Sequence, residues 1–331
     1  MPPTVEITAP SRLHFGLFAL GGSESRQYGG AGAMISAPVL RMRLTAADRF
    51  IVRGRYAARV THFATQFAEW AGLEKPPACQ LEVLAAPDEH TGLGLGTQLG
   101  LSLAAGLVAI TGGEQPTVQQ PTAQQPTAQQ PTVQQLATSV GRGNRSAVGA
   151  YGFQRGGLIV DDGKLAGEPL GRLACRVDLP TTWRFVLVRP PASSGLSGTA
   201  EADAFAQLTS PPASTTARLR QLAIDELVPA AETSDMDRFA AAVHEFNVLA
   251  GECFAAVQHG PFASAAIRAV VEQLQLLGCV GCGQSSWGPT VFGLARSQTD
   301  AEQLAKELAS TVGQPVTIAQ PDNRGAKIEI S

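Results

Sequence analysis

His90-Thr91-Gly92-Leu93-Gly94-Leu95-Gly96-Thr97-Gln98-Leu99-Gly100 joins a strand-like segment, Cys79-Gln80-Leu81-Glu82-Val83-Leu84, to an apolar helix-forming one that runs to Ile110. Glycines at alternate positions let the backbone turn tightly and expose several N–H groups, and the following helix adds its positive N-terminal end. The pattern reads as a cradle for phosphate or another anion, or, on glycine content alone, as a tight strand-to-helix turn. It is not the nucleotide P-loop, which ends in Gly-Lys-Ser/Thr, nor the dinucleotide GxGxxG, whose third glycine falls elsewhere.

Working outward, the 331 residues are 44% hydrophobic and 16% charged, the profile of a soluble globular chain long enough for two domains. A net charge of −3 offers no polyanion-binding surface, so nucleic acid is not an expected partner and local arginines read as small-anion sites. Five scattered cysteines make no disulfide framework. Cys279-Val280-Gly281-Cys282 has neither a second cysteine pair nor a nearby histidine, so it reads as small residues in a glycine-rich strand rather than a zinc site. No targeting segment and no long apolar run stands out, and the expected location is cytoplasmic, with no membrane partner.

Strand-like alternation recurs at Val5–Ala9 and Val39–Leu44, and helical periodicity at His62–Ala71, which stops at Gly72. Gly156–Val160 followed by Asp161-Asp162-Gly163-Lys164 reads as a strand entering a hairpin turn. A buried strand near Trp183–Arg189 that closes on Pro190-Pro191, helices around 213–228, 235–257, 261–277 and 298–311, and strands at 290–294 and 316–319 then suggest a second α+β unit. The expected division is 1–180 and 181–331.

With these segments in view, the chain resembles the GHMP superfamily of small-molecule kinases, whose phosphate loop usually reads Gly-Leu-Gly-Ser-Ser. It resembles more closely that superfamily's branch of β-ribofuranosylaminobenzene 5′-phosphate synthases. The likeness is carried by the glycine loop and by Pro10-Ser11-Arg12-Leu13-His14-Phe15-Gly16-Leu17, Arg26-Gln27-Tyr28-Gly29-Gly30-Ala31-Gly32 and Gly283-Gln284-Ser285-Ser286-Trp287-Gly288-Pro289-Thr290. It implies a two-domain α+β GHMP-type fold, with an N-terminal domain like the second domain of ribosomal protein S5 and a C-terminal ferredoxin-like domain. Family kinases with a carboxylate base carry Pro-Ser-Gly-Val/Ile-Asp in the helix before the Gly-Gly strand. The matching segment here, Arg145-Ser146-Ala147-Val148-Gly149, has glycine in place of that aspartate. Some family kinases dispense with the base, so an ATP-dependent kinase stays an alternative to the synthase. A non-catalytic anion-binding or regulatory protein is a third reading.

The synthase resemblance implies condensation of 4-aminobenzoate or 4-hydroxybenzoate with phosphoribosyl diphosphate, losing carbon dioxide and diphosphate in methanopterin biosynthesis. It implies Mg²⁺ as cofactor and a homodimer. Under it Gly92, Gly94, Gly96, Thr97 and Gln98 hold the diphosphate, while Ser11, Arg12 and His14 face substrate. Arg12 supplies a planar fork for phosphate or carboxylate, and His14 a hydrogen bond or proton shuttle, against the plainer reading of a structural histidine. Arg26 clamps an anion and Tyr28 faces the aromatic ring. Asn144 and Arg145, in a basic cluster with Arg142, suit a 5-phosphate. Ser285 and Ser286 close on the phosphate site, Trp287 walls the ring, and Glu201 after Gly195-Leu196-Ser197-Gly198 holds Mg²⁺. Each arginine, Glu201 and Trp287 equally suits a surface, helix-end or core role.

One segment lies outside the resemblance. Residues 116–135 are four tandem pentapeptides of the form Pro-Thr-(Val/Ala)-Gln-Gln, the last running into the helix-like Leu136-Ala137-Thr138-Ser139-Val140. Proline every five residues opposes one continuous helix, and the polar composition cannot build a core, so the array reads as a duplicated helix start inserted at the surface. Deleting three copies is expected to leave the yield of soluble protein and its activity unchanged; a large drop in soluble yield from the shortened gene contradicts this.

Overall fold

Two long strands organise the molecule. The computed structural model describes residues 2–20, 26–112, 131–190, 208–258 and 260–331. Within it Thr4–Ala19 (β1) and Tyr28–Ala46 (β2) pair antiparallel along almost their full lengths. Alternation over Val5, Ile7 and Ala9 buries one face of β1 completely, as the period of two requires. Register shifts between Ala9 and Ser11 and between His14 and Gly16 bracket the stretch that carries Arg12 and His14. Bulges of this kind bend a strand and re-aim its side chains.

Around this pair grows a seven-stranded sheet. Ile51–Arg53 (β3) and Cys79–Ala85 (β4) extend it beyond β2, and Leu158–Asp161 (β5) pairs with the other half of β2 and with Leu173–Val177 (β6). One face packs against helices Ala57–Trp70 (α1), Leu95–Ile110 (α2), Val133–Ser139 (α3) and Val148–Arg155 (α4). Helix α2 is buried nearly all round, which explains why its sequence is apolar without a polar stripe.

Arg184–Val188 (β7), Cys282–Gln284 (β8), Val291–Ala295 (β9) and Val316–Ala319 (β10) make a four-stranded antiparallel sheet ordered β10-β7-β9-β8. Phe185 and Leu187 face a core shared with β1 residues Leu13 and Phe15, whereas Val186 and Val188 face Ile267, Leu274 and Leu308. Burial on both faces is why this segment reads as an unbroken apolar run. The covering helices are Ala213–Gln221 (α5), which passes through a π-helical turn at Leu222–Leu227 into Val228–Glu232 (α6), then Met236–Glu252 (α7), Ala255–Gln258 (α8), Ala265–Leu276 (α9) and Gln298–Val312 (α10).

The structure corrects the expected division at its end. Lys327–Ile330 (β11) pairs with Val5–Thr8 of β1, so the last residues of the expected 181–331 unit belong to the first sheet. β3, β6, β8 and β11, 3 to 5 residues each, escape sequence periodicity because they are short and owe their existence to partners distant in the chain. The last pentapeptide starts α3: Thr132 accepts from the Gln135 N–H at 3.2 Å, and Gln135 Oε1 accepts from the Thr132 N–H at 2.8 Å, a capping box. The earlier copies lie outside the described residues.

One buried carboxylate ties the end of β5 to the start of α4. Asp161, with no exposed surface, accepts from the N–H groups of Ala147 and Gly163. Burial pushes its carboxyl up to about 6 against these hydrogen bonds. Because this exceeds the unfolded value of ~3.9, its proton is held more tightly in the folded chain. The associated stability is complete below about pH 4 and is lost as pH rises through about 6. The stability of wild type relative to Asp161→Asn is therefore expected to fall by roughly 3 kcal/mol between pH 4 and pH 7, since each tenfold gain in proton affinity on folding is worth about 1.4 kcal/mol. Urea unfolding of both proteins across that range checks it, and a pH-independent difference contradicts it.

Candidate active site

The backbone of β1 is the floor of the site. Arg12 N–H donates to Leu93 O at 3.0 Å, which stitches the glycine loop to the strand between its two bulges. Ser285, fully buried, accepts from His14 N–H at 3.0 Å and donates to Gly92 O at 2.8 Å, and Ser286 N–H donates to His14 O at 3.0 Å. Asn247 on α7 completes the junction: its amide donates to Phe15 O and Gln284 O and accepts from Gln284 N–H at 2.8 Å. Gly92 is glycine for two reasons, a φ of +78° and the carbonyl of Ser285, which would stand 2.3 Å from a Cβ. His90 and Ser286, at φ of 58° and 57°, also take the left-handed conformation here.

These segments enclose a cavity of about 440 Å³. One part is cationic. Arg12, Arg59, Arg142 and Arg145 line it around the N-terminus of α2, and the described lining carries no carboxylate. A Cβ on Gly96 would stand 2.4 Å from Arg59 Nη2 and 3.4 Å from Arg142 Nη2, and one on Gly94 3.3 Å from Arg12 Nε, so the bare loop lets the guanidinium groups close in. Arg142 also donates to Thr97 Oγ1 at 3.3 Å, and Arg59 pairs with Glu89 at 2.7 Å. Guanidinium forks, loop amides and a helix start make a site for a polyanion. The other part is apolar, with Phe15, Leu17, Ala250, Phe254 and Pro261, and Phe254 meets Trp287 edge to face at 4.8 Å between ring centres. Aromatic rims of this kind suit a planar ring.

Of the residues expected from the sequence, Gly92, Gly94, Gly96, Thr97, Arg12, His14, Asn144, Arg145, Ser286 and Trp287 line this cavity. Gln98 and Ser285 stand behind it: Gln98 donates to Gly149 O at 2.9 Å, and Ser285 joins Gly92 to His14. Ser11 donates to Pro38 O and is not in the lining. Tyr28 is absent from the lining as well. Arg26 is engaged elsewhere, bidentate to Glu168 at 2.8 and 3.1 Å and bonded to Gly163 O at 2.9 Å. Glu201 and its preceding glycines lie outside the described residues. Sequence patterns do not point to Arg59, Ser146, Asp161 or Asn247, since each sits in an ordinary local context and only the fold brings it here. A Cβ at Gly149 would touch Thr97 at 3.3 Å and lie 3.7 Å from Arg12 Cδ, so a carboxylate at that position would border the anion site, and none is present.

His14 has a defined environment. Its Nε2 lies 3.0 Å from Ser146 Oγ, and burial, followed by the neighbouring Arg12 charge, holds its imidazole well below the usual histidine range and therefore neutral. The described lining offers Mg²⁺ hydroxyl, amide and carbonyl oxygens but no carboxylate, and no group of three or more His, Cys, Asp or Glu comes together among the described residues. What the described cavity fits is the anion rather than a protein-held cation. Among the described residues no helix is long and apolar enough to cross a membrane.

Comparison with known proteins agrees with this geometry. Residues 227–314 match the family model for the GHMP kinases C terminal region. Proteins named beta-ribofuranosylphenol 5′-phosphate synthase are 26% identical in Archaeoglobus fulgidus, covering 98% of this chain and 100% of that protein, and 28% identical in Methanothermobacter thermautotrophicus, covering 97% of each. The solved homoserine kinase from Cytophaga hutchinsonii shares the fold at a TM-score of 0.68 and 14% identity, over 98% of this chain and 97% of that one. The chain therefore carries a match to the GHMP kinases C terminal region over residues 227–314 and is similar over nearly its whole length to the proteins named beta-ribofuranosylphenol 5′-phosphate synthase.

Proposed function

We propose that this protein joins a para-substituted benzoate, 4-hydroxybenzoate or 4-aminobenzoate, to phosphoribosyl diphosphate, releasing diphosphate and carbon dioxide. The observation that carries the reading is one cavity with two characters, an arginine and amide cradle with no carboxylate among its described lining residues, adjoining an aromatic wall. A ribosyl phosphate bearing diphosphate suits the first and a benzoate ring suits the second. The names of the full-length relatives support the same reaction class.

The chemistry asks three things of the protein. As diphosphate departs, negative charge grows on it, and Arg59, Arg142 and the Gly92–Thr97 amides are placed to bind that charge at the start of α2. The ring carbon bearing the carboxylate attacks the anomeric carbon, so ring and ribose must be held face to end, the task of the Phe254–Trp287 wall. The ribosyl centre must meet no water, a task for the apolar part of the lining, Phe15, Leu17, Ala250 and Pro261, once the substrates fill the cavity. The electron pair spent on the new carbon–carbon bond returns to the ring when carbon dioxide leaves, which restores aromaticity. Mg²⁺ is proposed as a companion of the diphosphate.

Phosphoribosyl diphosphate at about a hundred times its Kd is expected to raise the unfolding temperature by about 5 °C, and ATP to leave it unchanged. Carboxyl-labelled 4-hydroxybenzoate or 4-aminobenzoate should release labelled carbon dioxide only with phosphoribosyl diphosphate; consumption of ATP on a polyol without such release would overturn the reading. Arg59→Ala and Arg142→Ala should each raise KM for phosphoribosyl diphosphate about ten- to a hundredfold, the usual cost of one charge-assisted contact, with little change in KM for the benzoate. Equal loss toward both substrates would place these arginines outside the diphosphate site.

A further inference from the structure

Gln258 ends α8 one helical turn after Phe254, whose carbonyl accepts from its N–H at 3.0 Å, and it lines the cavity beside Gly251 and Pro261. Its Nε2 lies 3.1 Å from Gly251 O. A carbonyl oxygen only accepts, so the amide must present its nitrogen there and turn its Oε1 elsewhere. That oxygen makes no hydrogen bond among the described residues. The other polar side chains of the lining are placed differently. Asn247 and Gln284 are engaged with backbone groups. Thr97 and Asn144 belong to the arginine part, tied to Arg142 and to Gly141 O at 3.3 and 3.2 Å. Ser286 stands at the junction, its N–H bonded to His14 O.

We infer that Gln258 reads the para substituent of the benzoate, its Oε1 accepting a hydrogen bond from the hydroxyl or amino group carried there. The inference rests on the proposed synthase reading and on the shape of a para-substituted ring. The carbon bearing the carboxylate attacks the ribosyl centre, so it faces the arginine and amide cradle that holds the diphosphate. The para carbon lies directly opposite, and its substituent therefore points away from the cradle into the apolar part. A donor buried there without a partner is costly, and Gln258 Oε1 supplies the partner. The ring ligands that fit are benzoates with a para donor. A para methyl group, of similar size, leaves Oε1 unpaired, and a site built around a polar contact rejects the analogue that lacks it. A hydroxyl that donates to Oε1 also gains negative character and feeds it through the ring to the opposite carbon, the one that attacks. Gln258 thus sets specificity and takes no part in making or breaking bonds.

Calorimetric titrations with inorganic diphosphate present read this preference without turnover. Wild type is expected to bind 4-hydroxybenzoate and 4-aminobenzoate each about tenfold more tightly than 4-methylbenzoate, the usual worth of one hydrogen bond. Gln258→Met, of nearly the same volume, and Gln258→Leu should each bring that ratio to about one or below while 4-methylbenzoate keeps its affinity, with thermal unfolding showing that the variants are folded. Ser286→Ala, whatever it does to affinity as a whole, should keep the ratio. A wild type with no preference overturns the inference. So does a ratio that survives in a folded Gln258 variant, or one lost in Ser286→Ala instead. The release of labelled carbon dioxide separates this inference from the reading it rests on. A protein with the Gln258-dependent ratio that releases none fails as a synthase and leaves Gln258 as the reader of the ring, whereas release accompanied by a ratio indifferent to Gln258 overturns the inference and leaves the synthase standing.

Discussion

The Ser285 hydroxyl is the clasp on which the site depends. With one proton and one lone pair it joins the glycine loop, through Gly92 O, to β1, through His14 N–H, across separations of 193 and 271 residues in the chain. Ser285 is buried, so losing its hydroxyl would leave the His14 N–H and the Gly92 carbonyl without the partner that joins them. Everything that gives the cavity its character hangs from those two segments. The loop fixes where the start of α2 points, and β1 fixes Arg12 and His14 beside it. Asn247 repeats the arrangement one step along, binding Phe15 and Gln284.

Two buried titratable groups at this junction are kept in the forms their roles need, by different balances. His14 loses its proton because burial and Arg12 both oppose a positive charge. Asp161 is raised by burial but opposed by the donors around it. In linkage terms they pull in opposite directions. A histidine held below its ordinary range stabilises the fold above the unfolded value of about 6.5 and less as pH falls, whereas the raised carboxyl stabilises it at low pH. Neighbouring residues link them: the Ser146 hydroxyl lies 3.0 Å from His14 Nε2, and the N–H of Ala147 donates to Asp161.

The glycine loop was legible in the sequence because an anion cradle is a local object: alternate glycines followed by a helix start carry the meaning without any partner. The apolar runs of α2 and β7 were equally readable, since burial on all sides leaves no polar interruption. Arg26 shows where local reading fails. An arginine before a glycine-rich turn looks like an anion clamp, yet the hairpin after β5 brings Glu168 and the Gly163 carbonyl to it. Arg59 shows the converse, an ordinary-looking residue near the start of α1 that the packing of α1 on α2 delivers to Gly96.

By itself the sequence determined the chemistry available: a loop of bare backbone, a basic cluster at Arg142 and Arg145, and glycine at position 149 where the kinase pattern it resembles holds its base. Periodicity set most of the elements, because burial leaves its mark residue by residue. Only the tertiary structure decided which arginines converge, that the C-terminal strand closes the first sheet, and that Ser146 stands beside His14. Those outcomes depend on strands paired across most of the chain length, and no local pattern records a partner that the fold alone supplies.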